Sequence, residues 1–317
     1  MAPLLKVENL KVSYRLRNRD LTAVNGVSFS VERAQAVGLV GESGSGKTTV
    51  ALAVLRLLPA NGNVSEGRVT FDDMELITIP EEELARIRWE GISMVPQNSM
   101  SSLSPAHRVG KVFRDVLRAH FSGSEEEVDA RISRAVELAN FPKKALEFYP
   151  HQMSGGMRQR ALIALSMLCQ PKLVIADEPT TALDVIVQKQ IMDEMKDLRR
   201  RVEASLMIIT HDIGIVSEYC DIMVVMYAGM VFEYGPTEEV IHDPRSPYTK
   251  LLLKSHPLLF DTAKQIVEIP GDPPELERIP VGCPFVPRCP YAQSICKEAE
   301  PPLAHISGNH FARCHFV

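Results

Sequence analysis

The sequence predicts an α/β fold in which a parallel sheet is covered by helices on both faces, interrupted by a helical insert and followed by a small cysteine-rich extension. Three observations predict it. Apolar residues 36–40 run directly into Gly41-Glu42-Ser43-Gly44-Ser45-Gly46-Lys47-Thr48, two glycines bracketing four residues, then lysine and a hydroxyl, the spacing of a phosphate loop between strand and helix. Residues 173–226 alternate short apolar runs with helical periods, the pattern of parallel strands linked by covering helices. Between these stretches, residues 104–169 carry apolar positions at helical spacing.

Taken in order, residues 4–10, 23–31 and 36–40 read as strands rich in Val, Leu and Phe with polar punctuation. A helix is expected over 48–58, then strands over 67–71 and 92–95. In the insert, Val109, Val112, Phe113, Val116 and Leu117 fall on one helical face, as do Val128, Ile132, Ala135, Val136 and Ala139. The frame resumes with strand 173–176, helix 185–201, strand 206–210, helix 213–220 and strand 222–226. The longest apolar run, residues 222–232, has eleven residues and reads as a buried strand, too short to span a membrane. Composition shifts near Gly235-Pro236, which places a boundary near residue 240 and a docking helix over 247–254. Residues 270–317 hold nine of the 22 prolines and four of the six cysteines, so this tail needs a staple to stay folded.

Composition narrows the function classes. Apolar content of 45% and charged content of 24% in 317 residues are those of a globular protein with a sizeable core. A net charge of −5 argues against a general nucleic-acid binder. The N-terminus lacks the charged and apolar regions of a secretory signal, which predicts a cytosolic chain that meets a membrane only through a partner. Cys169 and Cys220 lie in apolar surroundings and read as core residues. Cys283, Cys289, Cys296 and Cys314 crowd into the last 35 positions, and in a reducing compartment such a group points to a metal rather than disulfides. The nearby His305, His310 and His315 read as solvated surface residues.

Two motifs carry the chemistry. Glycines at 41, 44 and 46 let several backbone N–H groups converge on phosphate oxygens, and the following helix turns its positive dipole end toward them. Lys47 is placed to reach the β- and γ-phosphates, and the Thr48 hydroxyl to complete a Mg²⁺ shell. The apolar run 173–176 ends in Asp177-Glu178: Asp177 can hold Mg²⁺ through water, and Glu178 can act as general base on the water that attacks the γ-phosphate.

With these two motifs in place, the chain resembles the ATP-binding cassette ATPases over residues 4–240, and the decisive match is Met153-Ser154-Gly155-Gly156-Met157-Arg158-Gln159-Arg160, 24 residues before Asp177. This looks like that family's signature motif, with Ser154, Gly155 and Gly156 opening a helix and forming a second phosphate site. The resemblance implies that two cassettes pair head to tail, each ATP lying between one loop and the other subunit's signature. It implies a cassette domain over 1–240 with a RecA-like parallel core sheet, an antiparallel β subdomain and a helical subdomain at about 104–170. Further positions match one by one. Gln97 resembles the glutamine that contacts Mg²⁺ and leads into the coupling segment, and Thr181-Ala182-Leu183-Asp184 the loop that crosses the dimer interface. His211 resembles the switch histidine at the γ-phosphate, and Tyr14 the aromatic that stacks on adenine. Ser43, Ser45 and Thr49 complete the implied nucleotide contacts. Met153 and Met157 replace the family's common leucine and glutamine, leaving the Ser-Gly-Gly core intact.

Within that family, the chain is most similar to the ATPase subunits of oligopeptide and dipeptide importers. The stretch from Gln97 to Gly110, with Met100, Leu103 and Pro105 in register but Ser99 and Ser104 departing, carries part of this resemblance. So do Tyr149-Pro150-His151, Ser246-Pro247-Tyr248 and the run from Gly271 through Cys283 to Arg288-Cys289. The last looks like their carboxy-terminal extension, here residues 241–317. Four thiolates suit either a tetrahedral zinc or a 4Fe-4S cluster. The shortest gap, five residues, is longer than zinc sites usually show, and members of the resembled subfamily carry iron–sulfur at these cysteines. The implied partners are two transmembrane permease subunits, a second and non-identical cassette ATPase, and an extracytoplasmic substrate-binding protein, with the chain peripheral on the cytoplasmic side of the membrane. Oligosaccharide or nickel import by the same machinery, and a soluble cassette ATPase without a pore, are the alternatives.

Overall fold

A computed structural model describes residues 2–17, 19–97, 102–256 and 268–317. It divides into two compact units, Met1–Thr78 with Ile209–Val317, and Ile79–Ile208.

The first unit holds two sheets. β1 (Leu5–Arg15), β2 (Asp20–Val31), β4 (Gly62–Phe71) and β5 (Met74–Glu75) form an antiparallel sheet in the order β2-β1-β4-β5. β1, β2 and β4 are longer than their apolar runs suggest, because mixed, mostly half-buried or exposed residues continue the ladder beyond those runs. The second sheet brings together β3 (Ala36–Val40), β9 (Ile222–Tyr227), β10 (Met230–Pro236), β11 (Leu303–Ser307) and β12 (His310–Arg313), ordered β11-β12-β10-β9-β3. β3 and β9 pair in parallel, Val40 opposite Val225, and every residue of both is buried. That double burial is why these strands read as unbroken apolar runs.

One sequence expectation is corrected here. The apolar run 222–232 is not a single strand: β9 and β10 pair antiparallel, Met230 opposite Tyr227. Ala228 (φ 47°) and Gly229 (φ 81°) form the two-residue turn, whose left-handed backbone suits a hairpin. Nothing in the hydropathy marks that turn, since Ala228 is as apolar as its neighbours.

The phosphate-loop helix α1 (Lys47–Val54) is shorter than the expected 48–58. Arg56 adopts φ 50° and the Leu57 N–H returns to the Leu52 carbonyl at 2.7 Å, a helix stop made without glycine. Helix α7 (Ile213–Tyr219) follows His211, and α8 (Thr237–His242) and α9 (Pro247–Lys254) follow β10. α9 has the bounds expected from the sequence.

The proline-rich tail is held by more than its cysteines. β12 pairs with β10 and covers that edge of the sheet. Phe285 stacks edge-on against Tyr227 and Tyr248, each at 5.3 Å between ring centroids, with Phe232 joining the same buried cluster. His310, expected on the surface, is 2% exposed, and its Nε2 lies 2.8 Å from an oxygen of the fully buried Glu233. The same carboxylate accepts the N–H groups of Arg245 and Ser246, at 2.6 and 2.9 Å, so His310 is tied to a buried polar network. His305 is exposed, as expected, and His315 is half-buried with Nε2 2.9 Å from the Ala299 carbonyl.

The second unit is mostly helical around a short parallel pair, β6 (Ile92–Val95) and β7 (Leu173–Asp177). Its helices are α2 (Glu81–Glu90), α3 (Val109–His120), α4 (Glu125–Leu138), α5 (Gly155–Met167) and α6 (Val185–Val202). β8 (Ser205–Thr210) then carries the chain back into the first unit. Val109, Phe113 and Leu117 form the buried face of α3, and Val128, Ile132, Ala135 and Val136 that of α4, matching the sequence periodicity. Ser124 and Glu127 close a reciprocal capping box at the start of α4. Ser99 and Met100 of the coupling stretch lie outside the described residues. Among the described residues, no helix is long and apolar enough to cross a membrane.

Candidate functional site

The chemistry-bearing residues fall in both units. In the first, β3 delivers the chain into the phosphate loop at a point where only glycine fits. Gly41 has φ 154°, and a Cβ there would stand 2.0 Å from the Met226 carbonyl oxygen of β9. At the other end Gly46, φ 97°, caps α1 with no side chain of its own. Lys47 is 7% exposed and its Nζ donates to the carbonyls of Gly41 (2.7 Å) and Glu42 (2.9 Å) and to Ser45 Oγ (3.3 Å). The ammonium is thus folded against its own loop, at a helix N-terminus of the kind that suits an anion. The Ser45 carbonyl accepts from Gly229 N–H at 3.0 Å, which ties the loop to the hairpin turn. Tyr14, on β1, has its hydroxyl 3.3 Å from Thr49 Oγ1, the second residue after Lys47. His211 is exposed at the start of the turn into α7.

Asp212 beside it caps α7 through Gly214 N–H at 2.8 Å and lies 3.0 Å from His256 Nε2. The hydrogen bond from His256 outweighs burial and holds the Asp212 carboxyl below the usual carboxylate range. A depressed carboxylate contributes stability that is complete above the unfolded value of about 3.9 and is lost as pH falls through the lower folded value. Asp212→Ala is expected to cost about 1 kcal/mol at pH 7. The gap to the parent should narrow below about pH 4, read from melting curves at the two pH values. An equal gap at both would refute this.

In the second unit, β7 is buried along its whole length and ends at Asp177, 1% exposed. Glu178 follows at φ 47°, a left-handed conformation unusual for glutamate, and is half-buried. Its Oε2 accepts from Thr181 Oγ1 at 3.0 Å. Strain of this kind directs a side chain where a regular backbone would not. Ser154 caps α5, its Oγ accepting from Met157 N–H at 3.3 Å, and is exposed. A Cβ at Gly156 would stand 2.9 Å from Val187 Cγ1, so the small residue lets α5 approach the start of α6. Arg160 on α5 and Glu194 on α6 close a two-pronged bridge, both contacts at 2.9 Å. Asp184 caps α6 through Val187 N–H at 3.0 Å. Gln97 is exposed on the bend after β6.

A third group sits in the first unit. Cys283, Cys289, Cys296 and Cys314 line one cavity of about 280 Å³, with Phe232, Phe285 and Arg313. The Cys283 thiol is pushed up to about 11, chiefly by burial and in smaller part by the other three thiols. Burial likewise raises Cys289. Among the described residues, no three His, Cys, Asp or Glu side chains stand close enough to hold a single metal ion.

Sequence reasoning quoted Tyr248 and Arg288 only as part of a resemblance and gave them no role at the phosphate loop. Arg288, 6% exposed, makes a two-pronged contact with the Glu42 carboxylate at 2.6 and 2.9 Å. The fully buried Tyr248 accepts from Glu42 N–H at 3.1 Å. Burial raises the Tyr248 and Tyr227 hydroxyls above their usual range, so both stay protonated. An arginine directly before Cys289 was the available signal.

The comparisons agree with this geometry. Residues 24–181 match the family described as ABC transporter, and residues 232–296 the oligopeptide/dipeptide transporter C-terminal region. The chain is 44% identical over 313 residues to the oligopeptide transport ATP-binding protein OppD of Salmonella typhimurium, covering 98% of this chain and 93% of that protein. It is 38% identical over 317 residues to the dipeptide transport ATP-binding protein DppD of Caldanaerobacter subterraneus subsp. tengcongensis, covering 99% and 97%. A solved dimer of the ATP-binding cassette MJ0796, in a post-hydrolysis state bound to ADP and phosphate, matches with a TM-score of 0.66 at 26% identity. That match covers 74% of this chain and 98% of the other. A phosphate loop, a serine-capped signature helix and a matching carboxy-terminal region, together with identity along nearly the whole chain, place this protein in the ATP-binding cassette ATPases of the oligopeptide/dipeptide transporter family.

Proposed function

We propose that this chain is the ATP-hydrolysing subunit of an importer and energises uptake of peptides through two permease subunits, from the cytoplasmic side of the membrane. The observation that carries it is the pair of helix tips suited to phosphate, α1 behind Gly46 and α5 behind Ser154, in a chain that also has the peptide-transporter extension. In this reading Tyr14 stacks on adenine and the N–H groups of the loop from Gly41 to Thr49 surround the phosphates. Lys47 contacts the β- and γ-phosphates; Thr48, Gln97 and Asp177 would hold Mg²⁺, which would supply positive charge to the phosphates. Glu178 accepts the proton of the attacking water, and His211 reports the γ-phosphate. Ser154, Gly155 and Gly156 close over the ATP of a second, non-identical cassette, with Asp184 at that interface. The ATP-bound pair then differs in free energy from the open pair, and that difference drives the pore. A substrate-binding protein outside the membrane delivers the peptide.

The test is uptake of labelled peptide by vesicles holding the full complex. Uptake should require ATP inside and be lost with Glu178→Gln; ATP-independent uptake would overturn the reading.

The domain division that fits this function is a cassette over 1–240, with its helical part at about 104–170, and an extension over 241–317. In the extension, Cys283, Cys289, Cys296 and Cys314 would hold a 4Fe-4S cluster. Four thiols lining one cavity support this reading. When bound, the cluster supplies a cross-link for a tail poor in core. Replacing Cys283 and Cys289 by Ser should remove iron and acid-labile sulfide from the purified protein. A parent chain that carries zinc without sulfide would refute the cluster.

A further inference from the structure

Glu42 places a carboxylate inside a loop whose use is to bind anions. Each polar group of that residue is engaged. Its N–H donates to the Tyr248 hydroxyl at 3.1 Å, its carbonyl accepts from Lys47 Nζ at 2.9 Å, and its carboxylate takes both terminal nitrogens of Arg288. The pair is largely shielded from water, with side-chain exposures of 4% for Arg288 and 23% for Glu42. The arginine is itself held on its remaining sides. Its Nε donates to the Pro270 carbonyl at 2.8 Å and its Nη1 to the Tyr227 hydroxyl at 3.2 Å. Arg288 closes a turn through its N–H to the Phe285 carbonyl at 3.0 Å, on the loop between Cys283 and Cys289. Phe285 of that turn packs edge-on against both Tyr227 and Tyr248. Two residues from beyond position 240 therefore grip the second residue of the phosphate loop.

We propose that Arg288 is a positioning residue for the nucleotide site: by neutralising Glu42 and fixing its main chain, it keeps the loop able to accept a triphosphate. Two physical effects follow if it is lost. The Glu42 carboxylate, shielded and unpaired, repels the like-charged phosphates that the loop must bind. The Glu42 carbonyl that anchors Lys47 also loses its fixed place. A guanidinium suits this task because its planar fork matches a carboxylate at two points, which an ammonium cannot do. The rival account is that the pair merely pins the tail to the cassette. The two differ in one respect: only the proposal makes the unpaired charge of Glu42 the cause of damage.

The inference rests on nucleotide binding at residues 41–49. The experiment titrates the full-length chain with a fluorescent, non-hydrolysable ATP analogue and Mg²⁺, and follows melting of each variant. Arg288→Met should weaken binding by about 10-fold, and Arg288→Lys, which keeps the charge but not the fork, by about 3-fold. Adding Glu42→Gln to Arg288→Met should recover most of the lost affinity. The Arg288→Met deficit should also shrink between about 0.05 and 0.5 M salt, because screening weakens the repulsion. Parent-like affinity in both Arg288 variants overturns the proposal. So does a double variant that binds no better than Arg288→Met, even if the single variant melts early, because a pinning role predicts no rescue. A parent chain that does not bind the analogue overturns the nucleotide reading itself, and is recognised because Lys47→Ala then changes nothing.

Discussion

Glu178→Gln is expected to lower ATP turnover by about 100-fold or more while the variant still binds ATP. The amide keeps the size of the side chain and can still accept from Thr181 Oγ1, a contact of 3.0 Å in the parent. It cannot take a proton from water at neutral pH, so the loss falls on the chemical step. The strained backbone at Glu178, φ 47°, is unaffected by the change, so the fold should be too. Single-turnover phosphate release reads the loss, and retained analogue binding shows that the nucleotide site survives. Because ATP is bound and not consumed, a paired cassette should accumulate closed, seen as a dimer on sizing in ATP. Phosphate release at the parent rate would remove Glu178 from the role of base. A loss of binding as large as the loss of turnover would instead make it a structural residue of the loop after β7.

The second large effect is expected from Gly41→Ala. The new methyl group would sit 2.0 Å from the Met226 carbonyl oxygen and 3.1 Å from Ser45 Oγ. A methyl has no rotamer through which to escape, and the obstacle is backbone of β9, which pairs with β3 immediately before Gly41. Relief must come from moving one strand off the other, or from re-forming the loop. Either way the cost should be about 3–5 kcal/mol, among the larger values for a single substitution. The melting temperature should drop by about 10 °C, and affinity for the ATP analogue should fall by more than about 10-fold. Gly44→Ala is the control. It also has a left-handed φ, 78°, but nothing lies within 4 Å of its would-be Cβ. Its cost should be about 1–2 kcal/mol, from backbone conformation alone. If Gly41→Ala melts with the parent, the close approach of β9 to the loop is wrong.

Much of the fold was legible because its strands are buried on both faces. β3, β6 and the helices α6 and α9 fall where hydropathy and capping residues place them, within a residue or none. Ser154 and Asp184 were legible twice over, since a side chain that caps a helix also marks where that helix begins. The β9–β10 turn was not legible. A buried hairpin with Ala228 at its tip has no polar punctuation, and only the left-handed backbone at 228 and 229 marks it. Strands β11 and β12 escaped for another reason: β11 is only partly buried and β12 buries the polar His310 and Arg313, so neither reads as an apolar run, and their order comes from β12 pairing with β10 and β11 with β12.

The sequence by itself determined the chemistry: a phosphate loop, a carboxylate pair after a buried strand, a signature helix and four clustered thiols. Each of these is local, because capping, backbone freedom and side-chain identity act within a few residues. Only the tertiary structure decided what those pieces lean on. Arg288 and Glu42 are 246 positions apart, and Glu233 and His310 are 77 apart. Such pairs leave no periodic trace, since one charge meeting another across the fold depends on where the chain returns.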